Sequence, residues 1–193
     1  MAMVESVRPV ALATARLVLR PWRETDADAF HAINADPAVM AYFPAVLDRS
    51  QSDAMMQRIQ QCFVARGWGL WALERKQDAA FLGFAGLWPV DTRLPFAPAV
   101  EVGWRLAKAY WGQGYATEAA RQALDYAFTE LNLENVVSFS SVDNRRSRRV
   151  MQRIGLRDTG ECFDHPALEP GHPLRIHCLY RLQRAQWREN YSS

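Results

Sequence analysis

A short glycine-containing segment, Trp111-Gly112-Gln113-Gly114-Tyr115-Ala116-Thr117, carries the clearest chemical signal in the sequence. It separates a predicted strand from a predicted helix. Such a loop exposes backbone N–H groups at the positive end of the helix dipole, where anions bind, most often phosphate. Gly112 and Gly114 would let a ligand approach the backbone closely. The P-loop pattern and the third glycine of a dinucleotide fingerprint are absent. The loop is therefore either an anion site of another kind or a simple turn.

A second candidate is the arginine-rich segment that begins at Asn144. Six arginines and no acidic residue lie between Asn144 and Arg157, although the whole chain has a net charge of only +2. Asp143 or Asn144 is a suitable cap for a helix that ends before Gly155. Arginines at a helix N-terminus oppose the helix dipole, so this cluster favours a nearby anion. A solvated basic face is the alternative.

The elements that must position these two segments are those of a mixed α/β fold. Hydrophobic periodicity and turn signals predict alternating strands and helices. The predicted strands are Leu17–Leu19, Trp68–Leu73, Phe81–Trp88, Ala99–Leu106, Val136–Val142, Leu156–Phe163 and Leu174–Leu182, and the predicted helices are Thr25–Asn34, Ser50–Ala65, Ala116–Leu131 and Asn144–Ile154. The length of 193 residues and the lack of a low-complexity linker indicate one domain, 1–193.

Composition excludes several classes of protein. A net charge of +2 argues against a nucleic-acid binder that works through overall charge. Met1–Val10 lacks the apolar core of a signal peptide, and the apolar stretch Phe81–Val90 is too short to cross a bilayer. We therefore expect a cytoplasmic protein that binds neither nucleic acid nor membrane.

The cysteines and histidines do not form a usual metal motif. Cys62, Cys162 and Cys178 are widely spaced, and the sequence contains no CxxC. Their spacing relative to His165 and His172 fits no common zinc pattern. We interpret the cysteines as reduced thiols in an apolar setting and predict no metal.

Four blocks of sequence, in order and in register, resemble one family. The loop Trp111–Ala116 is similar to the Q/R-x-x-G-x-G/A motif of the GCN5-related N-acetyltransferases (GNAT). The other three blocks resemble the opening strand, the central strand and the second signature of the RimJ/RimL-like subgroup, and they lie at Leu12–Arg20, Glu101–Leu106 and Asn144–Leu156. The resemblance implies the GNAT fold, a mostly antiparallel mixed sheet with splayed central strands and flanking helices.

The resemblance also implies an enzyme that moves an acetyl group from acetyl-CoA to a primary amine, either a protein N-terminus or a small amine. In the family, loop amides bind the CoA pyrophosphate, here Gly112, Gln113, Gly114, Tyr115, Ala116 and Thr117. The backbone of the central strand pairs with the pantetheine arm, here at Trp104 and Leu106. Trp111 stands where the family often has Arg or Gln, and we expect this change to affect peripheral contacts.

Glu101 is the candidate general base, because acyl transfer to an amine requires the ammonium to lose a proton. A strand carboxylate that holds a neighbouring loop is the alternative. The family's usual acid is a Tyr at the position of Met151, which cannot donate a proton. Ser147 is the alternative acid by resemblance, although its hydroxyl also suits a first-turn bond to local backbone. Asn144 would bind the pantetheine amide, cap the helix, or do both.

The remaining assignments concern charges and the acceptor. Among the helix arginines, we expect Arg148 and Arg149 to contact CoA phosphates. Residues proposed to line the acceptor cleft are Trp22, Tyr42, Phe43, Trp88, Phe163 and His165, although most aromatic side chains belong to the core by default. Transfer of a succinyl group would need an added cation, for which Arg105 and Arg175 are available. A non-catalytic acyl-CoA-binding regulator is a further alternative, and the resemblance suggests a homodimer.

Overall fold

The computed structural model describes residues 9–191, so most of the segment predicted to lack a signal peptide, Met1–Val10, lies outside the described residues. The chain forms one eight-stranded sheet flanked by helices. The strands are β1 (Leu12–Ala13), β2 (Leu17–Arg20), β3 (Leu70–Arg75), β4 (Phe81–Pro89), β5 (Val100–Leu106), β6 (Asn135–Ser141), β7 (Arg157–Asp164) and β8 (Ile176–Gln183). The helices are α1 (Ala27–Ala35), α2 (Arg49–Arg66), α3 (Tyr115–Thr129), α4 (Arg145–Arg153) and α5 (Arg184–Tyr191).

The sheet is divided at its centre. Its strand order is β1-β2-β3-β4-β5-β6-β8-β7, and all neighbours are antiparallel except β5 and β6. These two strands run parallel and pair at a single position, Glu101 opposite Val137. Beyond it the strands separate. The predicted fold class, a mostly antiparallel mixed sheet with splayed central strands, is confirmed.

Helices cover the two faces of the sheet in different ways. Phe84 of β4 lies opposite Arg105 of β5, and these side chains contact Phe30 of α1 and Met55 of α2 respectively. On the other face, Trp71 packs edge-to-face against Tyr126 of α3. The α3 surface towards the sheet carries small residues that are fully buried, which lets the helix lie close to the strands: Ala119, Ala120, Ala123 and Ala127.

Local sequence signals predicted most of the helices and strands but not the residues at which they begin and end. The helix predicted from Thr25 begins at Ala27, after a short 3₁₀ turn over Glu24–Asp26. There Asp26 accepts from the Arg23 backbone N–H instead of a first-turn amide of α1. The second helix begins one residue earlier than predicted, because Asp48 and Gln51 form a reciprocal capping box. Helix α5 was not predicted.

A buried ion-pair network ties the first third of the chain to the sheet. Arg20, 6% exposed, donates to both carboxylate oxygens of Asp26 at 2.8 Å and to Glu74 of β3 at 2.7 Å. These partners raise the pKa of Arg20, with Asp26 the larger influence and burial acting in the opposite direction. A buried charge is stable in such a position because its hydrogen-bonding groups are matched.

Replacement of Asp26 tests this network. Asp26→Ala leaves the Arg20 guanidinium buried without its main partner and should lower the free energy of unfolding by about 3–5 kcal/mol. Chemical denaturation measures this loss. The matched control is Asp28→Ala, which removes an 89% exposed carboxylate that pairs with Arg49. It should leave stability nearly unchanged. Equal effects of the two substitutions would contradict the account.

Candidate active site

The gap between β5 and β6 brings together the segments singled out by sequence. The glycine loop and α3 follow the C-terminal end of β5, and α4 follows the C-terminal end of β6. Because the two strands are parallel, these ends lie at the same edge of the sheet, where the strands have diverged. The mouth of the gap is therefore flanked by two helix N-termini.

The inner edge of β5 presents backbone groups to the gap. Ala107 donates its N–H to Leu82 O on the β4 side. Backbone groups of successive strand residues point to opposite sides, so those of Trp104 and Leu106 face away from β4 and towards the gap. Leu106 O already accepts a hydrogen bond from the Trp111 indole N–H at 2.9 Å. Trp104 is thus the better placed of the two predicted backbone contacts.

The glycine loop has a conformation that glycine permits. Gly112 and Gly114 have φ angles of 74° and 83°, in the left-handed region, and Gly114 is the N-cap of α3. A Cβ built on Gly112 would meet no described atom within 4 Å, so open space adjoins the backbone there. The first amides of α3, at Tyr115, Ala116 and Thr117, have no partner within a preceding helical turn. This arrangement can bind an anion.

Side chains of the loop hold it in place. The Gln113 amide donates to Ala109 O at 2.9 Å, and Arg16 donates to Gln113 O at 3.0 Å. The Tyr115 ring is buried and lies 4.4 Å below the Arg16 guanidinium. These side chains have structural partners, so a ligand at this loop would meet mainly backbone.

Trp111 connects the glycine loop to α4. Its indole donates to Leu106 O, and the Arg146 guanidinium lies 4.5 Å above its ring. The residue that departs from the family pattern therefore occupies the mouth of the gap and positions an arginine there. A cation over an indole face is attracted by the ring quadrupole.

Three arginines of α4 line a cavity of about 540 Å³ at this mouth. The cavity lies between the first turns of α4 and the α1–α2 loop, residues 36–48. Its lining is Ala38, Ala41, Tyr42, Asp143, Arg145, Arg146 and Arg149. Arg145, Arg146 and Arg149 all have exposed side chains, and one acidic residue, Asp143, accompanies them. The cavity can accept a polyanion.

Arg148 occupies a different position from the one expected of a phosphate contact. It donates to Tyr180 Oη at 3.2 Å and to Val142 O at 3.1 Å, and it lies 3.5 Å from Asp158. Its side chain thus joins α4 to β7 and β8. This geometry favours Arg149, with Arg145 and Arg146, over Arg148 as anion contacts. Sequence missed Arg145 and Arg146 because four arginines within five residues give no signal of which ones line a cavity.

A larger cavity, of about 630 Å³, lies on the outer side of α3. Its lining comes from the β1–β2 turn, from α3 and from Arg153, and includes Gly114 and Thr117. Glu118 here accepts from Thr14, from the Arg16 backbone and from the Arg16 side chain. Burial alone would raise the pKa of Glu118, but these bonds lower it. No residue of β5 or β6 lines this cavity, so it is separate from the gap.

Glu101 lies where the strands separate. Along β5, Glu101 is the last residue that pairs with β6, and its carboxyl is half-buried. Its Oε1 lies 3.5 Å from the position that a Cβ would take on Gly103, so the carboxyl leans along β5 into the diverging part. Loss of water around the group raises its pKa from 4.5 to about 8. Such a carboxyl can accept a proton near neutral pH.

The second signature is positioned around the start of α4. Asn144 is the N-cap, and its side chain accepts from the Ser147 N–H at 3.2 Å. Ser147 is half-buried one turn into the helix and beside the mouth of the gap. Met151 is 1% exposed and belongs to the main core, so this position is closed to reactants.

The aromatic residues assigned to the acceptor cleft divide into two groups. Trp22 is a core residue, because it is buried among Phe30, Phe81 and Phe84 and donates to Leu70 O; its assignment to the cleft is wrong. The others lie around the Glu101 side of the sheet. Tyr42 lines the arginine cavity, Phe43 covers Arg105, Trp88 lies opposite Glu101, and Phe163 and His165 pack around Phe139 of β6.

Two further properties concern metals and membranes. Within residues 9–191, no group of three or more His, Cys, Asp or Glu side chains is arranged to hold a metal ion. Cys62, Cys162 and Cys178 are free thiols. No helix in the described part of the chain has the length and apolar character required to cross a bilayer.

Comparison with known proteins agrees with this arrangement. Residues 16–157 match the model of the acetyltransferase (GNAT) domain. The chain is 34% identical over 146 residues to the uncharacterized protein YkkB of Bacillus subtilis, covering 75% of this chain and 84% of that protein. It is 29% identical over 188 residues to the FsC-acetyl coenzyme A-N(2)-transacetylase of Aspergillus fumigatus, covering 91% and 77%.

A solved structure shows the same fold. Spermidine N-acetyltransferase from Vibrio cholerae, crystallised with CoA and spermine, superposes with a TM-score of 0.72 at 18% identity, covering 90% of this chain and 99% of that one. The family model covers most of the chain, including the split strands, the glycine loop and the arginine-rich helix. The chain belongs to the GNAT family of acetyltransferases.

Proposed function

We propose that this protein transfers an acetyl group from acetyl-CoA to a primary amine in a ternary complex, with Glu101 as the base. One observation carries the proposal. The half-buried carboxyl whose pKa lies near 8 is located where β5 and β6 stop pairing, at the closed end of the gap whose mouth carries the glycine loop and the arginine-lined cavity. A proton acceptor, a free strand edge and an anion site thus occur within one cleft.

The residues fit acetyl-CoA in a definite order. The gap accepts the pantetheine arm, with Trp104 offering its backbone as an added strand would. The amides at Gly114–Thr117 and the cavity lined by Arg145, Arg146 and Arg149 receive the phosphates. We further propose that Ser147 donates to the CoA sulfur and that Asn144 binds the pantetheine amide.

Glu101 accepts the proton that an ammonium must lose, directly or through one water. Acetyl-CoA supplies the activated thioester, whose C–S bond breaks as the C–N bond forms. The released thiolate takes the second proton of the attacking nitrogen, and we propose that Ser147, the one hydroxyl residue of α4, stabilises it by donating a hydrogen bond to the sulfur. Met151, at the position of the family's usual acid, is buried and has no proton to donate.

The comparisons support an amine as the acceptor. The name of the Aspergillus relative places its acetyl transfer at a nitrogen, N(2), and the Vibrio structure was determined with CoA and spermine. RimJ/RimL-like sequence blocks make protein N-termini a further candidate. We also propose that the chain is one domain and that it works in the cytoplasm. The three free thiols fit a reducing compartment of this kind.

Binding of acetyl-CoA should depend on the arginines that line the cavity at the mouth of the gap. Acetyl-CoA at about 100 times its Kd should stabilise the protein by about 2.7 kcal/mol and raise the Tm by several degrees. Arg149→Ala and Arg146→Ala should each weaken binding about 10-fold. Calorimetric titration and melting curves measure both effects.

Arg148→Ala is the matched control for this experiment. It removes the same charge from the same helix but breaks bonds to Tyr180 and Val142. It should lower the Tm with little change in Kd. A larger loss of affinity in Arg148→Ala than in Arg149→Ala would contradict the assignment.

The pH dependence of turnover tests Glu101. The base acts only when deprotonated, so kcat/KM should fall as pH drops below about 8, and Glu101→Gln should lose this limb together with at least about 100-fold in rate. Protonation of the acceptor amine also lowers kcat/KM at low pH. Two acceptors whose ammonium pKa values differ by about two units separate the two causes, because only the amine's contribution to the pH profile shifts with the acceptor. A limb that moves entirely with the acceptor would refute the role of Glu101.

Stability provides the folding control for Glu101→Gln. The folded pKa of Glu101, about 8, exceeds its unfolded value of 4.5, so the stability that this group contributes below pH 4.5 is lost as pH rises towards 8. Glutamine carries no such charge. The variant should therefore melt at the same or a higher temperature than the wild type at pH 9.

A further inference from the structure

Arg105 is a buried cation without an acidic partner in the described part of the chain. It is 8% exposed, and none of the ion pairs found there includes it. Its Nη1 donates to Asn34 Oδ1 at 2.5 Å and lies 3.7 Å from Met55 Sδ, while its buried Nε has no hydrogen-bond partner. Burial lowers its pKa to about 10.

Arg20, another buried arginine, has the acidic partners that Arg105 lacks among the described residues. Arg20 is equally enclosed, yet Asp26 and Glu74 receive hydrogen bonds from all three of its guanidinium nitrogens. At Arg105 a neutral amide oxygen, a thioether and the rings of Phe43 and Phe84 take their place, and none of these groups carries a negative charge. An uncompensated buried charge costs several kcal/mol of stability. An anion that enters this site would be held strongly, because little water competes for it.

Arg105 lies on the same face of β5 as Glu101. Residues two apart along a strand share a face, so Glu101, Gly103 and Arg105 form one row, with Cα atoms of the outer two about 13 Å apart. Between them Gly103 has no side chain, and the Glu101 carboxyl leans over it. An acceptor whose amine reaches Glu101 must occupy this face. From Glu101 its other end can extend along this row towards Arg105.

Phe43 of the α1–α2 loop covers the guanidinium. Its ring centroid is 4.1 Å from Arg105 Cζ, and the residue is 36% exposed. Phe43 thus covers the guanidinium from the loop, and the Phe84 ring centroid of β4 lies 5.4 Å from Cζ. The same loop contributes Tyr42 to the arginine cavity. An anionic group can reach Arg105 from the cleft when this ring moves aside.

We propose that Arg105 binds a carboxylate of the acyl acceptor, so that the substrate is an amine which also carries a carboxylate several bonds away. This inference rests on the proposed acetyl transfer and on Glu101 as its base. The carboxylate accepts hydrogen bonds from Nε and Nη2, along one edge of the guanidinium, while Nη1 keeps its bond to Asn34. Arg105 is a specificity-determining residue and takes no part in proton transfer.

The test compares acceptors in matched pairs with acetyl-CoA as donor. Amines that end in a carboxylate (4-aminobutyrate, 6-aminohexanoate and the dipeptide Gly-Leu) are assayed against their carboxamides by thiol release. At least one carboxylate should exceed its carboxamide about 30-fold in kcat/KM, the effect expected of one buried charge pair. This comparison uses the wild type and does not depend on the folding of any variant.

Substitutions then assign the preference to Arg105. Arg105→Gln keeps a donor for Asn34 and removes the charge, and the carboxylate-to-carboxamide ratio should fall to within about threefold of unity, mainly through KM. Arg105→Lys should restore part of the ratio. Arg58→Gln, an exposed arginine of α2, controls for the change in net charge and should preserve it.

Stability separates this role from a structural one. Removal of an unpaired buried charge should leave the Tm of Arg105→Gln unchanged or higher, whereas a residue retained for the fold would lower it. A lower Tm together with an unchanged ratio would overturn the proposal.

Three other outcomes would each overturn a claim made for this site. Equal turnover of carboxylates and carboxamides would overturn the role of Arg105 but leave acetyl transfer intact. An Arg105-dependent preference for succinyl-CoA over acetyl-CoA would move the carboxylate from the acceptor to the donor and overturn the assignment. Binding of acetyl-CoA without acetylation of any amine would refute the proposed function itself.

Discussion

The site depends on one constraint, the pairing of β5 and β6 at a single position. Glu101 opposite Val137 is the last point at which the sheet is continuous, and beyond it backbone groups of β5 face a gap. Backbone N–H and C=O groups in a protein interior require partners. A ligand that adds itself as a strand provides them, which is why the separation of two strands creates a binding site and not simply a defect.

The charges around the gap follow from the two helices that begin at its mouth. At α3 the first turn contains Glu118, which binds Thr14 and Arg16 and so fixes the β1–β2 turn beside the glycine loop. At α4 the first turn contains arginines that oppose the helix dipole and therefore favour an anion. Trp111 joins the two helix starts by holding Leu106 O and stacking below Arg146. The two helix starts proposed to bind phosphate and the gap are thus one structural unit.

Much of this arrangement could be predicted from the sequence, because the signals are local. The strand, glycine loop and α3 follow from periodicity and glycine placement, and Asn144 caps α4 as expected. Side-chain direction could not be predicted. Arg148 turns to Tyr180 while Arg149 faces a cavity, and Trp22 enters the core. The bond between Arg20 and Asp26 joins residues 6 positions apart, and the bond between Arg105 and Asn34 joins residues 71 positions apart. One sequence does not reveal such contacts.

Residue-resolved amide hydrogen exchange, measured with and without CoA, tests the central claim most directly. The account predicts that exchange of the Trp104 amide and of the amides at Gly114–Thr117 slows markedly when CoA binds, since the strand edge and the helix start gain partners. Glu101 and Val137 mark the boundary of this effect, because their strands are already paired there. Unchanged exchange at Trp104 when CoA is bound would contradict the account, even if the amides of α3 became protected.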